Sequence, residues 1–251
     1  MIIANLIHDT PSLKACAATC FAWYNVATPY LHHSLRLREW HIEEARRGLN
    51  PLPTLAELDL LPLVKTVKFQ SQAPKHCWIT PQTFNSRSLD YFSALVNVQD
   101  LTIDDLYFGK FKNGLEKYFG HFSPTLRSIA LIRPNCLPWQ LVDFLGLFPG
   151  LDNIKIIGYR VSPRSYKKPE TPRASICWPF RGKLTVRGLF KDGVLRDIVA
   201  ASQGARFASM DLYDVEEMQL ILEACAETLE TLRLHPGGLL EFCKKFPRSM
   251  R

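Results

Sequence analysis

The chain has 251 residues, 47% apolar and 22% charged, with a formal net charge of +7 and a pI near 9.1. This is the composition of an ordinary globular chain, large enough to bury roughly three quarters of its unfolded surface without disulfide staples. The longest apolar run, Cys136 to Leu151, is cut by Pro138, Gln140, Asp143 and Pro149. No segment therefore reaches the ~20 residues of a membrane span, and the N-terminus lacks a basic region followed by an apolar stretch. The expectation is an intracellular protein, in the cytoplasm or nucleus, with no membrane partner.

The seven cysteines stand at 16, 20, 77, 136, 177, 225 and 243. Their odd number and irregular spacing fit neither a disulfide framework nor a zinc site, so they read as reduced core thiols. Cys16 and Cys20 lie a helical turn apart with His32 and His33 nearby, but both fall on an apolar stripe, and no metal or cofactor is expected. The positive charge is richest from Arg160 to Lys191 and from Lys244 to Arg251. It is not gathered on a nucleic-acid module, and no specific nucleic-acid partner is expected.

In chain order, the first organised stretch is Asp9 to Leu31. Thr10 is a plausible N-cap with Pro11 at the first turn. Leu13, Cys16, Ala17, Cys20, Phe21 and Tyr24 then follow helical spacing, predicting one helix with a single buried stripe that ends near Asn25. Thr28-Pro29 repeats the start signal, so a second short helix carrying Tyr30, Leu31 and Leu35 is expected, with Trp23 near the corner. Ile2-Ile3, Leu6, His8-Asp9, Ser12-Leu13-Lys14-Ala15-Cys16, Cys20, Ala22-Trp23, Ala27 and Leu31 make this stretch resemble the F-box, in the form found in mushroom-forming fungi. The Leu-Pro pair and acidic turn that open such an F-box would lie upstream of Ile2-Ile3, where Met1 stands, so the first helix is expected to be incomplete. The resemblance implies docking on the Skp-family linker of cullin-RING ubiquitin ligases, with Leu13, Trp23, Val26 and Leu31 as the linker-binding residues. The other role open to each is that of a core residue in a helical cap.

Arg36 to Gly48 reads as a short helix or a strand-to-helix connector, and residues 49–62, rich in proline, as a linker with one helical turn. From Val64 a pattern recurs: apolar, two others, apolar, one other, apolar. It appears as Val64/Val67/Phe69, Val98/Leu101/Ile103, Leu126/Ile129/Leu131, Leu151/Ile154/Ile156, Phe207/Met210/Leu212 and Leu229/Leu232/Leu234, with a weaker copy at Leu184/Val186 where Arg181 replaces the first apolar residue. The middle positions are 34, 28, 25, 30, 26 and 22 residues apart, mostly in or near the range of leucine-rich repeats. Helices are expected over Ser88 to Val96, Lys110 to Phe119, Trp139 to Phe148, Gly193 to Ser202 and Val215 to Ala226, and a further one from Leu239 to Phe246. None of these strands or helices can bury its apolar face alone, so neighbours must stack.

The predicted fold is α/β: F-box-like helices over residues 1–48, a linker over 49–62, and a leucine-rich-repeat-like solenoid of about seven repeats over 63–251. It is a curved parallel sheet with outer helices, interrupted by a loop insertion at 161–175. Only Asn135-Cys136 approximates the Asn or Cys that follows the strand in the best-known leucine-rich repeats. Outward strand residues would line a concave face for a protein partner, with Tyr213, Arg187 and Arg233 as anchors and Ile132 and Ile157 as apolar footholds.

No phosphate loop, G-x-S-x-G or H-E-x-x-H motif is present. Asp104-Asp105 would point to opposite faces of a strand, and His76-Cys77 reads as a loop pair, so a non-catalytic chain is expected. The leading expectation is a substrate-recognition subunit of a cullin-RING ligase that holds an unidentified protein substrate. The alternative is a stand-alone scaffold whose degenerate F-box only caps the solenoid.

Overall fold

The last two residues of every apolar triplet lie on a strand of one sheet, and the first just precedes it. The computed structural model describes residues 6, 9–38, 51–70, 79, 86–111, 115–160, 182–188, 207–213, 222–223 and 225–235, with backbone alone at 86–88 and 213. The seven expected strands are β2 (Thr66–Gln70), β3 (Asp100–Asp104), β4 (Ser128–Ile132), β5 (Asn153–Ile157), β6 (Lys183–Arg187), β7 (Ser209–Tyr213) and β8 (Thr231–Leu234). With an eighth strand, β1 (Ser34–Arg38), they pair in sequence order, all parallel. Alternate residues face opposite sides of a strand. Accordingly Val67 and Phe69, Leu101 and Ile103, Ile129 and Leu131, and Ile154 and Ile156 are buried, and their odd-numbered or even-numbered neighbours on the strand are not.

The register is held by a repeated backbone device. The carbonyl just before a strand accepts two N–H groups from the start of the next repeat. His33 O accepts from Lys65 and Thr66, Lys65 O from Gln99 and Asp100, Gln99 O from Arg127 and Ser128, and Arg127 O from Asp152 and Asn153, at 2.7–3.0 Å. Beyond the strands, Asp105, Arg133, Gly158 and Gly188 each take a left-handed φ of 64°, 52°, 62° and 108°. At Gly188 a side chain is doubly disfavoured, by that φ and by the Gly158 backbone 3.2 Å from where a Cβ would sit.

Two stretches correct the sequence reading. Leu35 and Leu37 were expected on a helix or connector but occupy the buried positions of β1. This strand escaped the pattern because His32 stands where the first apolar residue of the triplet belongs. Residues 49–62 were read as a linker, yet a helix, α3 (Pro51–Glu57), and a 3₁₀ turn at Leu61–Leu63 place Leu52 and Leu61 in the main core.

The remaining helices are shorter than predicted. They are α4 (Ser86–Ser93), α5 (Glu116–Phe119), followed by a 3₁₀ turn at Gly120–Phe122, and α6 (Pro138–Gly146). Residues 222–223 and 225 are helical, within the span expected from Val215. The helix expected at Gly193 to Ser202, the one from Leu239, the insertion at 161–175 and His76-Cys77 lie outside the described residues. Buried Cys136 and Cys225 are thiols pushed up by desolvation, in keeping with small core residues.

The N-terminal helices break earlier than the stripe predicts. Asp9, not Thr10, caps α1 (Thr10–Thr19), accepting from Ser12 N at 3.2 Å and Ser12 Oγ at 2.6 Å. The chain then extends at Cys20 (φ −163°, ψ 167°), and α2 (Phe21–Leu31) follows. Pro29 does not start a new helix. It sits in the last turn of α2, where losing one N–H removes a single bond, and Thr28 Oγ1 donates to Tyr24 O at 2.7 Å just before it. The extended residue resets the helical phase, so Ala27 and Thr28, rather than Phe21 and Tyr24, turn inward.

His121 supplies a pH test of this core. Its ring lies 3.8 Å from that of Phe122, and its buried Nε2 has no hydrogen-bond partner among the described residues. Burial lowers the imidazole from 6.5 to about 4. A folded pKa below the unfolded one means full stability above pH 6.5 and loss as pH falls from there toward 4. Allowing for its partial solvent contact, the wild type is expected to lose roughly 2 kcal/mol more than His121→Gln between pH 7 and about 4.5, read from urea midpoints. Equal losses would contradict this.

Candidate interaction surfaces

The first surface is the N-terminal half of α2, exposed from Phe21 to Val26. Leu13 is 1% exposed and Ala27 fully buried, and with partly buried Leu6, Cys16, Ala17, Tyr30 and Leu31 they form a small core separate from that of the sheet. For Leu13 the sequence left open a linker contact or a place in the core of the helical cap; its burial against α2 places it in that core, holding the helix pair together. Leu31 is half-buried at the rim of the same cluster. Trp23 (39% exposed) and Val26 (44%) do face solvent, beside Phe21 (77%) and Tyr24 (47%). These four fall within six residues of one helix, and among the described residues only Leu58 and Val96 are other large exposed apolar side chains. Apolar exposure gathered in this way marks interaction sites, whereas isolated exposed apolar residues need no explanation. Phe21 and Tyr24 were missed because the unbroken stripe assigned them inward; the polar Thr19, whose Oγ1 donates to Ala15 O at 3.0 Å, is the one local sign of the break.

The second surface is the sheet face opposite the helices. Because the strands pair without slip, its residues form rows across the sheet. Ile132, Ile157, Arg187 and Tyr213 are successive partners in one row, so register unites four of the five residues singled out for this face. Ile132 and Ile157 are half-buried neighbours and Arg187 is exposed; the Tyr213 side chain lies outside the described residues. Arg233, exposed on β8, belongs to the adjacent row, opposite Asp211. In that central row Arg36, Lys68, Thr102, Ala130, Lys155, Thr185, Asp211 and Arg233 follow one another. Arg36 and its strand neighbour Arg38 were missed with β1 itself.

Two of the acidic residues on this face are neutralised from within the protein. Arg133 donates to Asp104 Oδ1 from Nη2 at 2.7 Å and Nε at 3.1 Å. Asp211, nearly buried, has Lys183 Nζ at 3.3 Å and His235 Nε2 at 3.0 Å. Burial alone would raise the Asp211 carboxyl, but hydrogen bonds from His235 and Lys183 and the nearby positive charges outweigh it and hold the carboxyl below its ordinary value. Asp105 is buried at the left-handed turn beyond the strand and does not join Asp104 on this face. Among the described residues no group of His, Cys, Asp and Glu could hold a metal ion, and no helix is long and apolar enough to cross a membrane.

Comparison of the chain with protein-family models, with curated proteins and with solved structures finds no match. The functional reading therefore stands on the two surfaces and on the resemblance carried by residues 2–31.

Proposed function

We propose that this chain is a non-catalytic adaptor that docks on a Skp-family linker through the exposed first turns of α2 and holds a protein substrate on the open face of its sheet for a cullin-RING ubiquitin ligase. The observation that carries this reading is the concentration of exposed Phe21, Trp23, Tyr24 and Val26 in the first two turns of α2, ahead of the turn that packs Ala27, Tyr30 and Leu31 against α1. Only two residues separate α2 from β1, and the carbonyl of the second, His33, accepts hydrogen bonds from the start of β2. A partner on α2 would thus be held close to the sheet. Ubiquitin transfer belongs to other subunits, and this chain supplies proximity.

The alternative, a scaffold whose helices merely seal the sheet, would have the helix pair share its core with the first strand. Among the described residues the two cores are separate, which favours the adaptor. The test is calorimetric titration of the full chain with a purified Skp-family linker. One-to-one binding with a negative heat-capacity change, the mark of apolar burial, is the expected result. No heat and no co-eluting complex at tens of micromolar would overturn the adaptor reading.

A further inference from the structure

Resting on the reading of the sheet face as the substrate-holding surface, we propose that the segment it takes is an extended acidic peptide with an apolar residue between its carboxylates, laid across the strands along the central row. Three features of the face carry this. The unpaired charge along its central row is all positive: Arg36 and Lys68 lie at one end, Lys155 in the middle and Arg233 at the other end, and among the described residues none of the four makes an ion pair. Asp104 and Asp211, which would repel a carboxylate, are already matched by Arg133 and by Lys183 with His235. Between Lys68 and Lys155 the surface turns apolar, with Ala130 in the row and Ile132 and Ile157 beside it.

Spacing adds specificity. Parallel strands lie about 4.8 Å apart, so the three steps from Lys68 to Lys155 cover about 14 Å, as do the three from Lys155 to Arg233. An extended chain advances about 3.3 Å per residue, which sets carboxylates about four residues apart, with an apolar side chain between the first two, over the step from Thr102 to Ala130. Asp100, exposed in the row on the N-terminal side of the strands, keeps a carboxylate from that side and confines the path to the central row. A single-stranded nucleic acid offers negative charge at closer intervals and requires stacking platforms, whereas between Lys68 and Lys155 this path crosses Thr102 and Ala130, with Ile132 beside Ala130 and Ile157 beside Lys155.

The experiment is fluorescence anisotropy of the full chain with a labelled peptide of about nine residues carrying Glu at its first, fifth and ninth positions and Leu at its third, a spacing set by the strand separation. A counterpart with Gln for each Glu and a short oligothymidine serve as competitors. The acidic peptide is expected to bind saturably, and the Gln peptide about tenfold or more weaker. Lys155→Glu should weaken the acidic peptide by a similar factor, and Asp100→Lys should tighten it several-fold. Equal affinity for the two peptides, no saturable binding of the acidic one, or tighter binding of oligothymidine would overturn the proposal. Linker titration of the same preparations separates this outcome from the adaptor reading: linker binding without acidic preference removes only the peptide class, and acidic preference without linker binding removes only the ligase role.

Discussion

Phe119→Ala is expected to cost about 3–5 kcal/mol, the range for truncating a fully buried phenylalanine. Phe119 sits at the end of α5 with no solvent exposure, at the centre of an aromatic row that ties successive repeats together. Its ring meets Phe69 of β2 edge-on at 6.1 Å and Phe144 of α6 at 5.6 Å. Phe69 in turn meets Phe92 of α4 at 5.7 Å, and Phe144 meets Phe108 and Phe148 at 5.4 and 5.3 Å. Edge-to-face geometry adds to the burial term, and in a repeat protein each unit leans only on its neighbours. Removing the shared ring therefore opens a cavity between repeats that no single helix can close. Urea unfolding at an unchanged slope with the midpoint shifted accordingly is the check; a loss under about 1 kcal/mol would contradict the row.

Gly182→Ala should be nearly as damaging, by about 3 kcal/mol, the upper end of the usual cost of overpacking. Gly182 directly precedes β6, and a Cβ there would lie 1.9 Å from the Asp152 carbonyl oxygen and 2.5 Å from its carbon. These are backbone atoms that cannot swing aside. The same oxygen accepts from Lys183 N at 2.8 Å, so relieving the collision pulls apart the start of the β5–β6 ladder. The loss should appear as a lowered melting temperature, with a reduced unfolding slope if β6 to β8 detach as a unit. A variant that melts with the wild type would show that this approach of the two chains is absent.

How much of this was legible in the sequence follows from which physical signals are local. Alternation with period two is local, so Val67/Phe69 through Leu232/Leu234 disclosed seven strands and their inward residues. It failed at β1 because His32 breaks the triplet, and with β1 went Arg36 and Arg38. Register was legible too despite repeat spacings from 22 to 34 residues, since aligning the triplets puts Val67, Leu101, Ile129, Ile154, Leu184, Met210 and Leu232 in one row, as the strands pair. That alignment comes from backbone carbonyls such as Gln99 O and Arg127 O, which carry no sequence mark. The exposure of the first turns of α2 was hidden for another reason. Residues 13–24 have the spacing of one helix, and a single extended residue, Cys20, rotates everything after it. Ion pairs such as Asp104–Arg133, 29 residues apart, were hidden because Arg133 lies beyond its strand at a left-handed turn that the apolar pattern does not mark.

One paired measurement separates a docking site on the exposed first turns of α2 from a seal. The Trp23→Ala, Val26→Ser double variant should unfold within about 0.5 kcal/mol of the wild type, as exposed substitutions do, while its affinity for the Skp-family linker falls by about a hundredfold or more, as loss of an aromatic anchor implies. A variant that is clearly destabilised yet binds the linker as the wild type does would contradict it.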